Sequence, residues 1–380
     1  MPVDSCRVCG AVFFEEPLLE FRNMPKAAQN FPDDSTISQD TGVELKVYQC
    51  KGCGLVQLNN DPVSYYKEVI RAAAFSEEMR DFRVEQFKNF VNKYGLKDKK
   101  VVEIGCGKGE FLSLMSEAET KAFGIEFGDE SVAVCHREGL SVSKFYIESD
   151  KDIIEGGPFD CFFIMNFFEH LPDPNTTLKA LYNNLTDDGL GLVEVPNFDM
   201  ILDNSLFSEF INDHLFYFTR ETLGSTLARN GFEIVECEEV WYKYIISAVV
   251  RKRKRLDTSS FYKQQNKIKN DIQEFVSRHG YGRVAVYGAG HQALAIISIA
   301  NIGDAIRYVV DDAPFKQGKY TPATHVPIVS SKHLEEDPVD AIIIMAASYS
   351  DEVAGKLKQK PLNNVEITIL RDYGLEGVRA

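Results

Sequence analysis

From about residue 99 onward, short apolar runs alternate with amphipathic stretches along the chain. The apolar runs predict strands, and the amphipathic stretches between them predict helices. Strands that alternate with helices form a parallel sheet covered by helices on both faces. We therefore predict a doubly wound, Rossmann-like α/β fold. The predicted strands are 101–105, 121–126, 161–166 and 189–195, and the predicted helices are 110–117 and 178–185.

A second α/β pattern follows a basic and polar stretch, 251–278, that predicts a helix. Further strands are predicted at 283–287, 306–310 and 341–345. A chain of 380 residues is longer than one hydrophobic core usually supports. We predict an N-terminal module over 1–70, a central domain over 71–250, and a linker helix with a C-terminal Rossmann-like domain over 251–380.

The N-terminal segment contains two C-x-x-C-G motifs. Each motif presents two thiolates, and the following glycine lets the backbone turn back toward the sulfur atoms. Two motifs complete a tetrahedral site that suits zinc and leaves no position for a reacting water, so we expect a structural role. The alternative is a pair of redox dithiols or unrelated thiols. The predicted ligands are Cys6, Cys9, Cys50 and Cys53.

A glycine-rich loop follows the first strand of the central domain. Its G-x-G-x-G spacing differs from the G-x-G-x-x-G of dinucleotide enzymes and favours S-adenosylmethionine (SAM). An acid before the loop can bind the amino group of SAM, and an acid at the end of the second strand can bind the ribose. The alternative is a tight turn between ordinary strand-end acids. The predicted cofactor-binding residues are Glu103, Gly105, Gly107, Gly109, Glu126 and Asn166.

The charge of the chain limits the classes of partner. A net charge of -15 and a pI near 5.0 argue against a nucleic-acid binder. The basic run 251–255 is the exception, and we interpret it as a solvated stretch between domains. The sequence contains neither a secretory signal nor an apolar run long enough for a membrane span. We expect a cytoplasmic protein that binds neither nucleic acid nor a membrane.

Two histidines are candidates for catalysis. His170 follows the predicted strand 161–166, and the carboxyl end of a strand in an open parallel sheet faces the ligand crevice. His214 follows Asp213 and precedes a run of aromatic residues. A lone histidine is often only a satisfied core or surface residue, but the adjacent carboxylates favour a functional role here.

Together these motifs resemble the sugar-nucleotide C-methyltransferases of deoxysugar biosynthesis, which methylate C3 of a nucleoside-diphosphate 4-keto-6-deoxy sugar. The resemblance extends over nearly the whole chain. It is carried by both cysteine motifs, residues 24–31, the glycine loop, Glu169-His170, Asp213-His214 and the block 308–327.

The resemblance implies a zinc module, a SAM-binding domain and a C-terminal Rossmann-like domain, with the sugar nucleotide between them. It implies that His214 removes the proton beside the ketone and that Asp213 orients it. His170 would hold the substrate or stabilise the oxyanion, and Tyr65 or Tyr66 would line the site.

The chain departs from the family motif at the proposed base. Ile211 stands where the family has tyrosine, and Asp213 replaces a glutamate. Methylation of oxygen or nitrogen on a sugar nucleotide or related metabolite is therefore an alternative function. A SAM-binding scaffold without turnover is another, and the acidic charge disfavours an RNA methyltransferase.

Overall fold

The computed structural model describes residues 3–28, 31–68, 76–362 and 364–378. The chain divides into two compact units, Met1–Lys254 and Arg255–Ala380. Residues 1–70, predicted as a separate module, lie in the first unit. There Cys6, Phe13 and Leu55 belong to the same hydrophobic core as Phe162 and Val193. The division into three domains stays a prediction. In the described ranges, none of the helices combines the length and apolarity that crossing a bilayer requires.

The first unit contains, in chain order, β1 (Leu19–Met24), β2 (Val43–Gln49), β3 (Val56–Leu58), α1 (Glu77–Tyr94), β4 (Lys100–Ile104), α2 (Glu110–Glu117), β5 (Lys121–Glu126), α3 (Asp129–Arg137), β6 (Ser141–Lys144), β7 (Phe159–Met165), α4 (Pro174–Asn184), β8 (Leu185–Pro196), α5 (Phe198–Asp203), β9 (Phe216–Tyr217), α6 (Arg220–Arg229), β10 (Phe232–Val240) and β11 (Ile245–Lys252).

The central sheet has the strand order β10-β11-β8-β7-β4-β5-β6. Strands β4 to β8 are parallel, whereas β11 runs antiparallel to β8 and β10 antiparallel to β11. The chain builds outward from β4 to β6 and then returns to β7 on the other side. Ligands bind at such a switch point, outside the carboxyl ends of the strands. The predicted doubly wound sheet is confirmed.

A smaller antiparallel sheet, β1-β2-β3-β9, joins the N-terminal segment to a strand far along the chain. Strand β9 pairs with β3, with Val56 opposite Tyr217. Because β9 directly follows the loop that carries His214, the cysteine-containing segment and this loop belong to one structural element.

Helix α1 is held on the central sheet by its caps and by a buried ion pair. Ser76 Oγ accepts a hydrogen bond from the Met79 N–H at 3.1 Å, and Gly95, whose φ is 65°, caps the carboxyl end of the helix. The Arg83 guanidinium pairs with the Glu194 carboxylate of β8, and both side chains are buried. Removal of either partner would leave a buried charge without compensation.

The prediction of a helix beginning at residue 251 is wrong. Arg251 and Lys252 end β11, and the next helix begins only at Ser259. The apolar run 245–250 forms a strand that pairs with β10, and this pairing extends until Lys252 lies opposite Phe232. Strand pairing therefore overrides the helical preference of the basic residues.

The second unit has the sheet order β14-β13-β12-β15-β16-β17, parallel except for the last pair. Gly288 follows β12 with φ of 114°, and a Cβ there would lie 2.7 Å from the Met345 carbonyl oxygen, so only glycine fits. Its elements are α7 (Ser259–His279), β12 (Val284–Tyr287), α8 (His291–Ile299), β13 (Val309–Val310), β14 (Ile328–Val329), α9 (His333–Glu336), β15 (Ala341–Ile344), α10 (Ser350–Lys358), β16 (Glu366–Arg371) and β17 (Gly374–Gly377).

Candidate active site

The predicted cofactor loop connects β4 to α2 in a path that requires glycine. Gly105, Gly107 and Gly109 have φ values of 69°, 55° and 89°. A Cβ on Gly109 would lie 2.3 Å from Leu140 Cδ1. Side chains at these positions would strain the backbone and close the approach to the sheet edge.

The predicted cofactor acids lie at the same edge. Glu126, at the end of β5, accepts hydrogen bonds from the Gly107 N–H at 2.9 Å and the Gly128 N–H at 2.8 Å. These bonds fix the glycine loop against β5. Glu103 is buried on the neighbouring strand β4. The cationic amino group and the ribose hydroxyls of SAM would find anionic acceptors here.

Asn166 follows β7 in a left-handed conformation, with φ of 51°. Its N–H donates to the Glu194 carbonyl oxygen at 2.9 Å. Its side-chain Oδ1 is buried and has no hydrogen-bond partner among the described residues. A buried acceptor in this state suits a ligand donor. The carboxyl ends of β4, β5 and β7 therefore offer acceptors that fit SAM.

A cavity beside Glu126 has aromatic walls that were not predicted from the sequence. Phe127, Phe145, Tyr146 and Phe167 line it together with Lys67. The Lys67 ammonium lies 5.2 Å from the centre of the Phe127 ring and 5.0 Å from that of Tyr146. Phe127 directly follows Glu126, the acid predicted to bind the ribose. This adjacency was the feature of the sequence that pointed to an aromatic wall here. The cavity has room for about one water molecule here, so its rings would have to move apart to admit a planar group such as adenine.

Tyr65 and Tyr66, which the sequence left undistinguished, face different parts of the site. The Tyr66 ring contacts Tyr146 edge-on, with centroids 5.9 Å apart, and so belongs to the aromatic cavity. The Tyr65 hydroxyl donates to Asp213 Oδ1 at 2.6 Å. Tyr65 is therefore the tyrosine that reaches the candidate catalytic residues.

The two candidate histidines lie side by side. His170 ends a short 3-10 turn, Phe168–His170, that follows β7, and His214 lies in the loop before β9. Their ring centroids are 4.7 Å apart and the rings are nearly perpendicular. His170 Nδ1 lies 2.8 Å from the Asp213 carbonyl oxygen. A carbonyl only accepts, so Nδ1 carries the proton and Nε2 has a lone pair.

Asp213 is placed differently from its predicted role. Its carboxylate accepts hydrogen bonds from Tyr65 and from the Ala28 N–H at 2.9 Å, and it makes none to His214 within the described residues. Asp213 reaches the histidine pair through its backbone carbonyl. The segment that includes Ala28 thus braces the histidine loop; Gln29 and Asn30 of the 24–31 motif lie outside the described residues.

Ile211 stands at the position where the family has a tyrosine. The backbone of Ile211 contacts the hydroxyl of another tyrosine, Tyr217. The Ile211 N–H donates to Tyr217 Oη at 3.1 Å, and the Tyr217 hydroxyl lies 3.3 Å from the Ile211 carbonyl oxygen. This hydroxyl therefore supports the turn of the histidine loop.

The histidine pair lies against Glu169, a buried acid to which no role was assigned from the sequence. Glu169 is 2% exposed, its Oε1 lies 3.9 Å from His170 Nε2, and its Oε2 lacks a hydrogen-bond partner in the described part of the chain. Burial raises the pKa of Glu169 to about 8. Near neutral pH this carboxyl therefore keeps its proton.

Burial acts in the opposite direction on the histidines. It lowers the pKa of His214 well below the ordinary value, and the neighbouring His170 lowers it further. Burial also lowers the pKa of His170, although the hydrogen bond to Asp213 opposes the shift. At neutral pH the cluster thus consists of two uncharged imidazoles, which can accept a proton, and an uncharged carboxylic acid, which already holds one.

The four N-terminal cysteines meet with a geometry that fits zinc. Cys6 Sγ lies 3.7 Å from Cys53 Sγ, and Cys9 Sγ lies 3.3 Å from Cys50 Sγ. Zinc–sulfur bonds of about 2.3 Å in a tetrahedron place sulfur atoms about 3.8 Å apart. All four sulfur atoms lie within 4.8 Å of one another.

Gln57 supports this cluster and was not identified from the sequence. Its side chain is fully buried, and its Nε2 donates to Cys6 Sγ at 3.1 Å. Donors of this kind orient a metal ligand and stabilise its charge. Gln57 lies close to the second cysteine motif in the sequence, but nothing in the sequence showed that its side chain points at the sulfur.

Replacement of Gly109 by alanine is expected to raise the Kd for SAM about tenfold and to lower the free energy of unfolding by about 1–3 kcal/mol, because the new methyl group overlaps Leu140. Isothermal titration with S-adenosylhomocysteine and thermal unfolding would measure both effects. Gly355→Ala is the control, since Gly355 lies in α10 with open space around it. Equal effects of the two variants would contradict the assignment of the loop.

Comparison with known families gives two matches. A family model described as a methyltransferase domain matches residues 75–237. A second, described as a C-methyltransferase C-terminal domain, matches residues 251–367. Together they cover most of the chain; the first lies in the first compact unit, and the second lies almost wholly in the second.

Among curated proteins, C-methyltransferase NovU of Streptomyces niveus is 24% identical over 398 residues, which cover 94% of this chain and 93% of the relative. Ubiquinone biosynthesis O-methyltransferase of Acinetobacter baylyi is 31% identical over 139 residues, which cover 33% of this chain and 58% of the relative. The second likeness is thus confined to part of each protein.

Among solved structures, a SAM-dependent methyltransferase from Clostridium acetobutylicum has a TM-score of 0.39 and 14% identity, covering 50% of this chain and 96% of its own. The plantazolicin methyltransferase BpumL, solved with S-adenosylhomocysteine, has a TM-score of 0.38 and 14% identity, covering 47% and 87%.

Proposed function

We propose that this SAM-dependent methyltransferase, whose C-terminal part matches a C-methyltransferase C-terminal domain, methylates a carbon atom of a nucleoside-diphosphate-linked 4-keto-6-deoxy sugar, at C3 beside the ketone. The observation that carries the proposal is the pair of histidines, with ring centroids 4.7 Å apart, at the crevice edge. The likeness to a C-methyltransferase over 94% of the chain supports it.

In the proposed reaction His214 is the base. A carbon beside a ketone becomes a nucleophile only after it loses a proton, and this proton passes from C3 to the imidazole of His214. The lowered pKa of His214 leaves its ring uncharged and able to accept at neutral pH. Asp213 contributes by holding the loop through Tyr65 and Ala28 and by orienting His170.

His170 would hold the substrate. Its Nδ1–H donates to the Asp213 carbonyl, which leaves Nε2 as an acceptor for a sugar hydroxyl. Because its N–H is already engaged, His170 is better suited to bind the substrate than to donate a hydrogen bond to the enolate oxygen. Stabilising that oxygen is the other role that the family resemblance implies.

Bound SAM supplies the methyl group together with its leaving group. Glu103 and Asn166 would hold its amino-acid part, Glu126 its ribose, and the aromatic cavity its adenine. Four cysteines would hold a structural zinc, and a cytoplasmic location is part of the same proposal. The remaining task of the chain is to position the acceptor and exclude water.

O- or N-methylation is the second candidate. Ile211 favours it, because a phenol that the family places beside the base is absent here, and part of the chain resembles O-methyltransferases. In that case His214 would deprotonate a hydroxyl or an amine.

The test incubates the full chain with SAM and a panel of nucleotide sugars, including keto-deoxy sugars and their non-keto counterparts. Mass spectrometry detects the added methyl group, and NMR locates it. We expect a methyl group on carbon and, in heavy water, exchange of the C3 proton. A methyl group on oxygen or nitrogen would support the second candidate, and no methylated nucleotide sugar would refute both.

The pH profile of kcat/KM should have an alkaline limb near pH 8. Glu169, whose pKa is raised to about 8, is uncharged below this pH and anionic above it. The anion, 3.9 Å from His170, would disfavour the negative charge that develops on the enolate beside the histidine pair, so turnover should fall. Stopped assays between pH 5 and 10 measure the limb.

Glu169→Gln should remove this alkaline limb, because glutamine cannot ionise. Glu221→Gln, on an exposed turn of α6, is the matched control and should keep it. An unchanged limb in Glu169→Gln would assign it to another group.

A further inference from the structure

The turn between β10 and β11 has an uncommon backbone conformation. Trp241, Tyr242 and Lys243 follow one another with φ values of 48°, 57° and 66°. This left-handed region is sterically disfavoured for residues with a Cβ, and three such residues in succession are rare. A backbone of this kind persists only where its surroundings fix it, and it concentrates at functional sites.

The turn lies at the ligand-binding edge of the central sheet. Strand β11 pairs with β8 so that Ile245 is opposite Pro196, the last residue of β8. The turn therefore projects beyond the carboxyl end of β8, one strand removed from the end of β7, which Asn166 follows. Asn197 ties it there, because its Nδ2 donates to the Lys243 carbonyl and its N–H to the Tyr244 carbonyl, both at 2.8 Å.

Side-chain contacts also hold the turn. The Tyr242 hydroxyl donates to Glu78 at 2.6 Å, and the Tyr244 hydroxyl donates to Glu209 at 2.7 Å. The Trp241 ring packs on Phe82 of α1, with centroids 5.1 Å apart. These contacts come from two separate elements, α1 and the 3-10 turn Phe207–Glu209, so the turn is fixed before any ligand arrives.

The fixed turn presents aromatic surface to solvent. Tyr242 is 79% exposed, although its hydroxyl is anchored. The Trp241 and Tyr242 rings are 5.3 Å apart at an angle of 66°, and so form an open corner. A rigid exposed aromatic corner loses little conformational entropy when a ligand packs into it.

We propose that the turn Trp241–Tyr244 binds the sugar ring of the methyl acceptor. A deoxy sugar has an apolar C–H face that packs on an aromatic ring, and it has hydroxyls that donate to carboxylates. Glu78 and Glu209 flank the turn and would accept from these hydroxyls. Their charge disfavours the diphosphate at the same place. The inference rests on the proposed function, because it presupposes a sugar acceptor.

The sole tryptophan of the chain, Trp241, gives a direct readout. Its fluorescence would be titrated in the full chain with S-adenosylhomocysteine, with thymidine and uridine diphosphates, and with the corresponding 4-keto-6-deoxy nucleotide sugars. We expect a saturable change in emission with a nucleotide sugar and no comparable change with its diphosphate. An equal response to the diphosphate alone would overturn the inference.

Variants provide the second measurement. Trp241→Ala and Tyr242→Ala should each raise the acceptor KM about tenfold, while the Kd for S-adenosylhomocysteine stays within about twofold. Trp241→Phe should recover part of the loss. Tyr281→Ala, which removes an exposed aromatic from the second unit, is the control. Retained S-adenosylhomocysteine binding shows that a variant is folded.

The outcomes separate the inference from the function beneath it. If the wild-type chain methylates a nucleotide sugar and both alanine variants keep its KM, the inference fails and the proposed function stands. If the wild-type chain neither binds nor methylates any nucleotide sugar, both fail.

Discussion

Replacement of His214 by glutamine is expected to lower kcat about 10²–10⁴-fold, the usual contribution of a positioned general base. The side chain is half-buried and uncharged at neutral pH, so its replacement by a neutral amide leaves the charge of the site unchanged. Glutamine cannot accept the C3 proton. The Kd for SAM should change little, because the cofactor residues lie on β4, β5 and β7. Steady-state kinetics and titration with S-adenosylhomocysteine measure the two quantities.

His136→Gln is the matched control for this prediction. His136 lies on α3, where its Nε2 is 2.7 Å from the Val142 carbonyl oxygen, away from the histidine pair. Loss of C3 proton exchange in heavy water should accompany the loss of kcat in His214→Gln. A kcat within about threefold of wild type, with exchange retained, would assign the base to another group, and His170 would be the first to test.

The parts of the site that depend on local sequence could be predicted. The three loop glycines and Glu126 lie where a strand, a tight turn and a helix follow one another, so spacing alone locates them. The prediction of a SAM-dependent methyltransferase is confirmed by the family matches. The roles of the individual site residues stay predictions.

The contacts that the sequence could not reveal join distant segments. Tyr65 and Asp213 are separated by 148 positions, and no periodicity relates them. In the sequence, Glu169 and His170 resemble an ordinary pair of adjacent charged residues. In the folded chain, packing buries Glu169 and raises its pKa to about 8. The turn at Trp241 was missed because its left-handed backbone depends on Asn197 and Glu78, not on glycine.

Replacement of Cys50 by serine is expected to abolish stoichiometric zinc and to lower the free energy of unfolding by several kcal/mol. Structural zinc sites contribute about 10–16 kcal/mol of apparent binding energy in zinc-finger peptides, and here the hydrophobic core shared with the central sheet would retain part of the fold. Metal analysis and thermal unfolding measure the effect, and Cys237→Ser, on β10, is the control.

The loss of zinc should also lower kcat, because the cysteine cluster and the histidine loop share a strand pairing. Gln57 donates to Cys6 Sγ through its side chain, and its backbone lies opposite Phe216 in β9. The next residue, Leu58, donates its N–H to the carbonyl of Leu215, the residue directly after His214, at 2.9 Å.

Gln57→Leu should therefore weaken zinc binding about 10–100-fold and reduce kcat without altering any group that touches substrate. If Gln57→Leu lost zinc but kept the wild-type kcat, the histidine loop would be held by Tyr65 and Ala28 alone. A chain purified without zinc that unfolds at the same temperature with and without a chelator would refute the metal site itself.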